Sequence, residues 1–150
     1  FQMFQTRDYV VILNEMVHSA RIVPLDGRPH GSLRQWAGDS RAHWEGNTLV
    51  VDTTKFLPEG TAHPASTGGK LEAIDENLHL VERFTRVDAD TLLYQFTVDD
   101  PTVWARPWTA EVPMTRTEDL MYEYACHEGN YAMEGILAGA RADEKAAQKK

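Results

Sequence analysis

The sequence predicts a mainly β fold: an antiparallel meander, closed or nearly closed into a small barrel, followed by one C-terminal helix. A β-sandwich is the alternative. Three observations carry this expectation. Residues 76–101, ENLHLVERFTRVDADTLLYQFTVDDP, place two rows rich in Val, Leu, Phe, Tyr and Thr around Asp88-Ala89-Asp90, the pattern of a long hairpin. Residues 41–53 place Gly46-Asn47 between two further strand-like runs, the pattern of a tight hairpin. About eight such runs recur at hairpin spacing, and residues 130–148 then switch to a helix-forming composition.

Taken in order, residues 9–13 (YVVIL) are an apolar β-branched run, expected to be a strand buried on both faces. A second strand is expected near residues 18–24. Asp26-Gly27 then supplies a tight bend, and Pro29 stiffens the exit toward His30. Residues 32–40 read as a loop or one helical turn carrying Trp36.

In the Gly46-Asn47 hairpin, counting back from the turn sets Trp44 against Leu49, His43 against Val50 and Arg41 against Asp52. One face is then apolar (Ala42, Trp44, Leu49, Val51). The other gathers Arg41, His43, Glu45, Thr48 and Asp52. Residues 55–75 lack periodicity and read as a long loop.

In the long hairpin a three-residue loop sets Phe84 against Tyr94. One face then carries Leu78, Leu80, Glu82 and Phe84 opposite Leu92, Tyr94, Phe96 and Val98. The other carries His79, Val81, Arg83 and Thr85. Pro101 ends the ladder. Trp108, Ala110, Val112 and Met114 alternate as another strand, and residues 121–127 are expected to be the last. In the helix, Tyr131, Ile136 and Leu137 are expected to pack on the body. Without a repeat or a linker, residues 1–150 read as one domain.

Composition excludes several functions. The net charge of −8 argues against nucleic acid, whose binders need a basic footprint. No apolar run approaches the roughly 18 residues of a membrane-spanning helix. The single cysteine, Cys126, excludes an internal disulfide. No glycine-rich phosphate loop occurs, so no nucleotide cofactor is expected. The chain opens at Phe1 in apolar sequence, which reads as a processed or trimmed part of a longer precursor.

The stretches RIVPLDGRPH (21–30), GDSRAHWEGNTLVVDTTKF (38–56), NLHLVERFTRVDADTLLYQFTVDDP (77–101), ARPWTAEVPM (105–114) and YEYACHEGNY (122–131) together resemble a large family of uncharacterised bacterial secreted or periplasmic proteins. The resemblance implies an export signal upstream of Phe1 and a periplasmic or secreted location. Asn47 departs from it, standing where the family's turn has Asp. The W-E-G-x-T-L-V-V-D-T pattern followed by E-R-F also resembles, at the level of fold, the meander of calycin-like barrels. Fold does not fix function.

Several residues could carry chemistry. Glu82 is a carboxylate on an apolar strand face, where an unpaired charge is costly. It must pair, with Arg86 or Arg21 in reach, or serve as a general acid/base. His79 and Arg83 lie on the opposite face. They are either a solvated surface or the lining of a ligand site, with Arg83 clamping an oxyanion. Arg41 and Asp52 read as a cross-strand ion pair. His43 with Asp52 reads either as a salt-bridge neighbour or as an acid/base pair. His30, Arg41, Arg83 and Trp104 are the candidate ligand-binding residues, and Glu82, His79, His43 and Asp52 the candidate catalytic ones. For a transition metal, which no compact motif specifies, the candidates are His43, His79 and His127. Cys126 and His127 are adjacent, so in a strand they point to opposite faces, and Cys126 reads as a buried structural thiol.

The expected function is binding of a small polar or aromatic ligand, with acid/base hydrolysis, elimination or isomerisation as the candidate chemistry. The alternative is a non-catalytic binding or assembly protein. A homo-oligomer is compatible with either.

Overall fold

A computed structural model describes residues 1–15, 19–57, 76–123, 125, 128–129 and 131–148. The chain forms two antiparallel sheets and one helix. Strands β1 (Gln2–Gln5), β2 (Tyr9–Leu13) and β3 (Ala20–Pro24) make a three-stranded sheet in that order. Strands β4 (Asp39–Glu45), β5 (Thr48–Thr54), β6 (His79–Arg86), β7 (Thr91–Asp99) and β8 (Trp108–Thr115) make a five-stranded meander. Helix α1 spans Ala132–Ala147.

The predicted hairpins form in the predicted registers. Glu45 faces Thr48, Trp44 faces Leu49 and Arg41 faces Asp52. Gly46 takes φ 63°, which a two-residue hairpin turn needs at its first position and which glycine adopts without a Cβ penalty. In the long hairpin Phe84 faces Tyr94, and the Val87 N–H closes the loop on the Thr91 carbonyl at 3.0 Å. Asp88 caps the turn by accepting from the Asp90 N–H at 2.8 Å.

Alternation sends one face of each strand inward. Val10, Ile12 and Val23 of the first sheet meet Ala42, Leu49, Val51 and Phe84 of the second in one apolar cluster. A smaller cluster, Phe56, Leu78 and Val98, sits at the far end of β6 and β7, with Trp104 packed against it. Burial of this apolar area is the main favourable term holding the two sheets together.

Four expectations change. Strand β2 is buried on one face only, because Val10 and Ile12 point into the cluster while Tyr9 stays exposed. Among the described strands no barrel closes: β1, β3, β4 and β8 are all sheet edges. Met121, Tyr122, Glu123 and Ala125 are not in a strand, and Tyr124, Cys126 and His127 lie outside the described residues. The additional strand is β1, too short for its alternation to stand out from sequence. Helix α1 buries no residue; Tyr131, Ile136 and Leu137 are all exposed, so they do not pack on the sheets. The loop expected at residues 55–75 is described only as far as Leu57.

No described helix is long and apolar enough to cross a membrane.

Candidate functional site

The registers of β4, β5 and β6 gather one polar sheet face. Asp39, Arg41, His43 and Glu45 alternate along β4. Arg41 faces Asp52, and Asp52 faces Val81, so Asp52 shares its face with His79 and Arg83. The turn at Asp26-Gly27 then folds residues 28–31 over this face. Arg41 anchors that segment by donating from Nε to the Pro29 carbonyl at 3.2 Å.

The result is a continuous hydrogen-bonded chain. His30 Nε2 meets Asp52 Oδ1 at 2.8 Å, and His79 Nε2 meets Asp52 Oδ2 at 2.7 Å. His30 Nδ1 lies 3.3 Å from Asp39 Oδ2, which also accepts the Gly31 N–H at 2.7 Å. Arg41 Nη1 donates to Asp39 Oδ1 at 2.6 Å. Both ring nitrogens of His30 face carboxylate oxygens, so both contacts are hydrogen bonds only when each nitrogen carries a hydrogen.

The network runs from a buried end to an open one. The Asp39 side chain is 7% exposed, that of His30 26% and that of His79 42%. Burial pushes the Asp39 carboxyl up, but the Gly31 N–H, the Arg41 guanidinium and His30 together outweigh it and hold the group below its ordinary value. A depressed carboxyl stabilises the fold above its unfolded value, near pH 4, and that contribution is lost as pH falls through the folded value. Asp39→Asn is therefore expected to lower stability at neutral pH and to narrow its deficit as the solution is acidified. Urea midpoints of both proteins across the acid range check this. A deficit that does not change with pH would show that the Asp39 charge carries no stability.

The other predicted residues lie elsewhere. Arg41 pairs with Asp39 rather than with its cross-strand neighbour Asp52. His43 and Arg83 are on the same polar face but turn to Glu45, with His43 Nε2 3.1 Å from Glu45 Oε1 and Arg83 bonded to Oε2. The His43 hydrogen bond, followed by the Arg83 charge, holds the exposed Glu45 carboxyl below its ordinary value. Trp104 is half-buried, edge-on to Trp108 at 5.8 Å, with its backbone N–H on the Asp100 carbonyl at 2.9 Å.

Glu82 is on the opposite face. It accepts Arg21 Nη1 at 2.6 Å, Arg21 Nη2 at 2.9 Å and the Tyr94 hydroxyl at 2.8 Å. Burial opposes the Arg21 charge, but the Glu82 carboxylate wins and raises the guanidinium above its ordinary value. Burial, and then Glu82, also push the Tyr94 hydroxyl up.

Sequence reasoning missed Asp39. It stands at the end of a segment read as loop, and its partners come from residues 30, 31 and 41. The short polar run Gly38-Asp39-Ser40, directly ahead of Arg41, was the available signal. Asp100, directly ahead of the Pro101 that ends the ladder, is a second such residue. It is 1% exposed, and its Oδ1 accepts from the Thr102 backbone at 2.9 Å and hydroxyl at 2.6 Å.

Among the described residues no three His, Cys, Asp or Glu side chains are arranged to hold a metal ion. The Nε2 atoms of His30 and His79 are turned onto the oxygens of Asp52. Of the metal candidates, His43 and His79 belong to separate contacts, and His127 lies outside the described residues. The chain matches no family model, no curated protein and no solved structure.

Proposed function

We propose that this is an envelope protein whose polar sheet face binds a small polar ligand and moves protons on it, with His79 as the acid/base group and Asp52 as its orienting carboxylate. One observation carries the reading: the two oxygens of Asp52 are shared between His79 at 2.7 Å and His30 at 2.8 Å. A carboxylate on one ring nitrogen fixes the imidazole's tautomer and turns its other nitrogen toward a reactant. The His79 side chain is open enough to meet one, at 42% exposure. Hydrolysis, elimination and isomerisation are the reactions such a group serves. The envelope location rests on the motif resemblance. In this reading the two sheets act as the halves of an open sandwich, and the polar face is its outer surface.

A non-catalytic binder is the second reading. It is favoured by Glu82, whose oxygens are occupied by Arg21 and Tyr94 and, among the described residues, meet no imidazole.

Hydrolysis of 4-nitrophenyl acetate separates the two. The full chain is expected to release 4-nitrophenol faster than an equal concentration of free imidazole. His79→Ala is expected to lower kcat/KM about a hundredfold, and Asp52→Asn to lower it while leaving KM nearly unchanged. A wild-type rate no better than imidazole, or a His79→Ala protein as fast as wild type, would leave the binder as the surviving reading.

A further inference from the structure

We infer that the apolar half of the five-stranded sheet that no other described element covers holds a second binding site, which takes a planar aromatic ring bearing a carboxylate or similar oxygen acceptor. The first sheet covers the other half: its cluster reaches Ala42, Leu49, Val51 and Phe84 but not β8. From Phe84 outward the apolar face continues as a ladder of rings. Phe84 and Tyr94 stack at 4.8 Å, and Tyr94 and Phe96 at 5.5 Å. Phe96 then meets Trp108 edge-on at 5.6 Å. Trp108 is 38% exposed and Val112 42%, on a face whose pattern is that of a core.

Where the cover ends, a cavity of about 210 Å³ opens, whose lining includes Phe1, Arg21, Glu82, Phe84, Tyr94 and Met114, with Phe1 edge-on to Phe84 at 6.3 Å. A cavity of about 150 Å³ admits benzene, so this one has room for a single substituted ring. The stacked rings of Phe84 and Tyr94 supply the aromatic wall that such a ring prefers.

The polar floor sets the ligand's chemistry. The Arg21–Glu82 pair is more than four-fifths buried on both sides, with side-chain exposures of 15% and 4%. A buried ion pair is often no more stabilising than apolar residues of the same volume, so its presence in an apolar cleft calls for another role. The acceptor side is largely filled: Glu82 takes two N–H groups from Arg21 and the Tyr94 hydroxyl. The donor side is not. Among the described residues the Glu82 bonds occupy two of the five guanidinium N–H groups of Arg21. Arg21 therefore has donors to offer in the cleft, which suits an oxygen acceptor on the ring.

This site lies on the face opposite His79 and Asp52 and does not depend on their role. Benzoate is the probe, with cyclohexanecarboxylate as its non-aromatic control, each titrated calorimetrically into the full chain. The expected result is saturable benzoate binding, at least about fivefold tighter than the control because only an aromatic ring gains edge or face contacts with the Phe84–Tyr94 wall. Met114→Trp fills the cavity and is expected to weaken benzoate at least about fivefold, with the melting temperature unchanged. Absence of saturable benzoate binding, or a ratio below fivefold in either comparison, overturns the proposal. Should Met114→Trp fail to fold, nuclear Overhauser effects from benzoate to the wild-type Met114 methyl and Tyr94 ring decide it. Their presence supports the site, and their absence overturns it.

Discussion

Replacing Arg21 with alanine is expected to destabilise the protein by about 3–5 kcal/mol. The substitution removes both guanidinium bonds from Glu82, a residue 3% exposed, and among the described residues leaves only the Tyr94 hydroxyl on it. The double substitution Arg21→Met with Glu82→Leu is expected to lie much nearer the wild type, because it removes the buried charge together with its partner. Denaturant midpoints of the three proteins test this. A loss below about 1 kcal/mol for the single variant would mean that Glu82 is solvated, contrary to the packing described above.

Gly38→Ala is expected to cost about 3 kcal/mol, from two additive causes. Gly38 has φ 72°, a left-handed conformation that side chains other than glycine adopt at a penalty. A Cβ there would also lie 2.6 Å from Thr53 Cγ2, 2.9 Å from the Thr54 carbonyl and 3.0 Å from a ring carbon of Phe56. Thr53 is fully buried and the carbonyl belongs to β5, so neither can retreat without bending the sheet. Gly27→Ala is the control. It has φ 71° but nothing within 4 Å of the new Cβ, so it should cost only the conformational penalty of about 1 kcal/mol. Equal thermal shifts for the two variants would show that the contacts at Gly38 relax freely. Asp39 follows Gly38 directly, so the Gly38 variant should also loosen its hold on His30.

The two polar faces of the hairpins were readable residue by residue, and the structure joins them. Arg41, Asp52, His79 and Arg83 share one sheet face because β4, β5 and β6 pair in sequence order. Their partners were not readable in the same way. Asp52 was set against Arg41 by register alone, yet Arg41 turns to Asp39, two residues along its own strand, and Asp52 is claimed by two histidines. Register fixes which Cα atoms are opposite each other. It does not fix where a long, flexible guanidinium points. Glu82 shows the same division. Its misfit on an apolar face was visible as a pattern, and both Arg86 and Arg21 were within the candidate set. The choice of Arg21 came from the packing of one sheet on the other.

Alternation, turn chemistry and spacing were enough to establish the mainly β architecture, both hairpin registers, the helix at the C-terminal end and the burial of Glu82's face. All of these depend on contacts between chain neighbours, whose geometry is set by a period of two and a short loop. Packing alone established the rest. The Arg21–Glu82 pair joins residues 61 apart, and His30 reaches Asp52 across 22 and His79 reaches it across 27. The edge positions of β1, β3, β4 and β8 among the described strands, and the exposure of helix α1, likewise follow from the tertiary arrangement. The Arg21–Glu82 contact depends on how the two sheets settle against each other, the His30–Asp52 contact on how residues 28–31 fold over the polar face, and the His79–Asp52 contact on the pairing of β5 with β6. Such arrangements are decided by the summed burial of many side chains rather than by any local run of sequence.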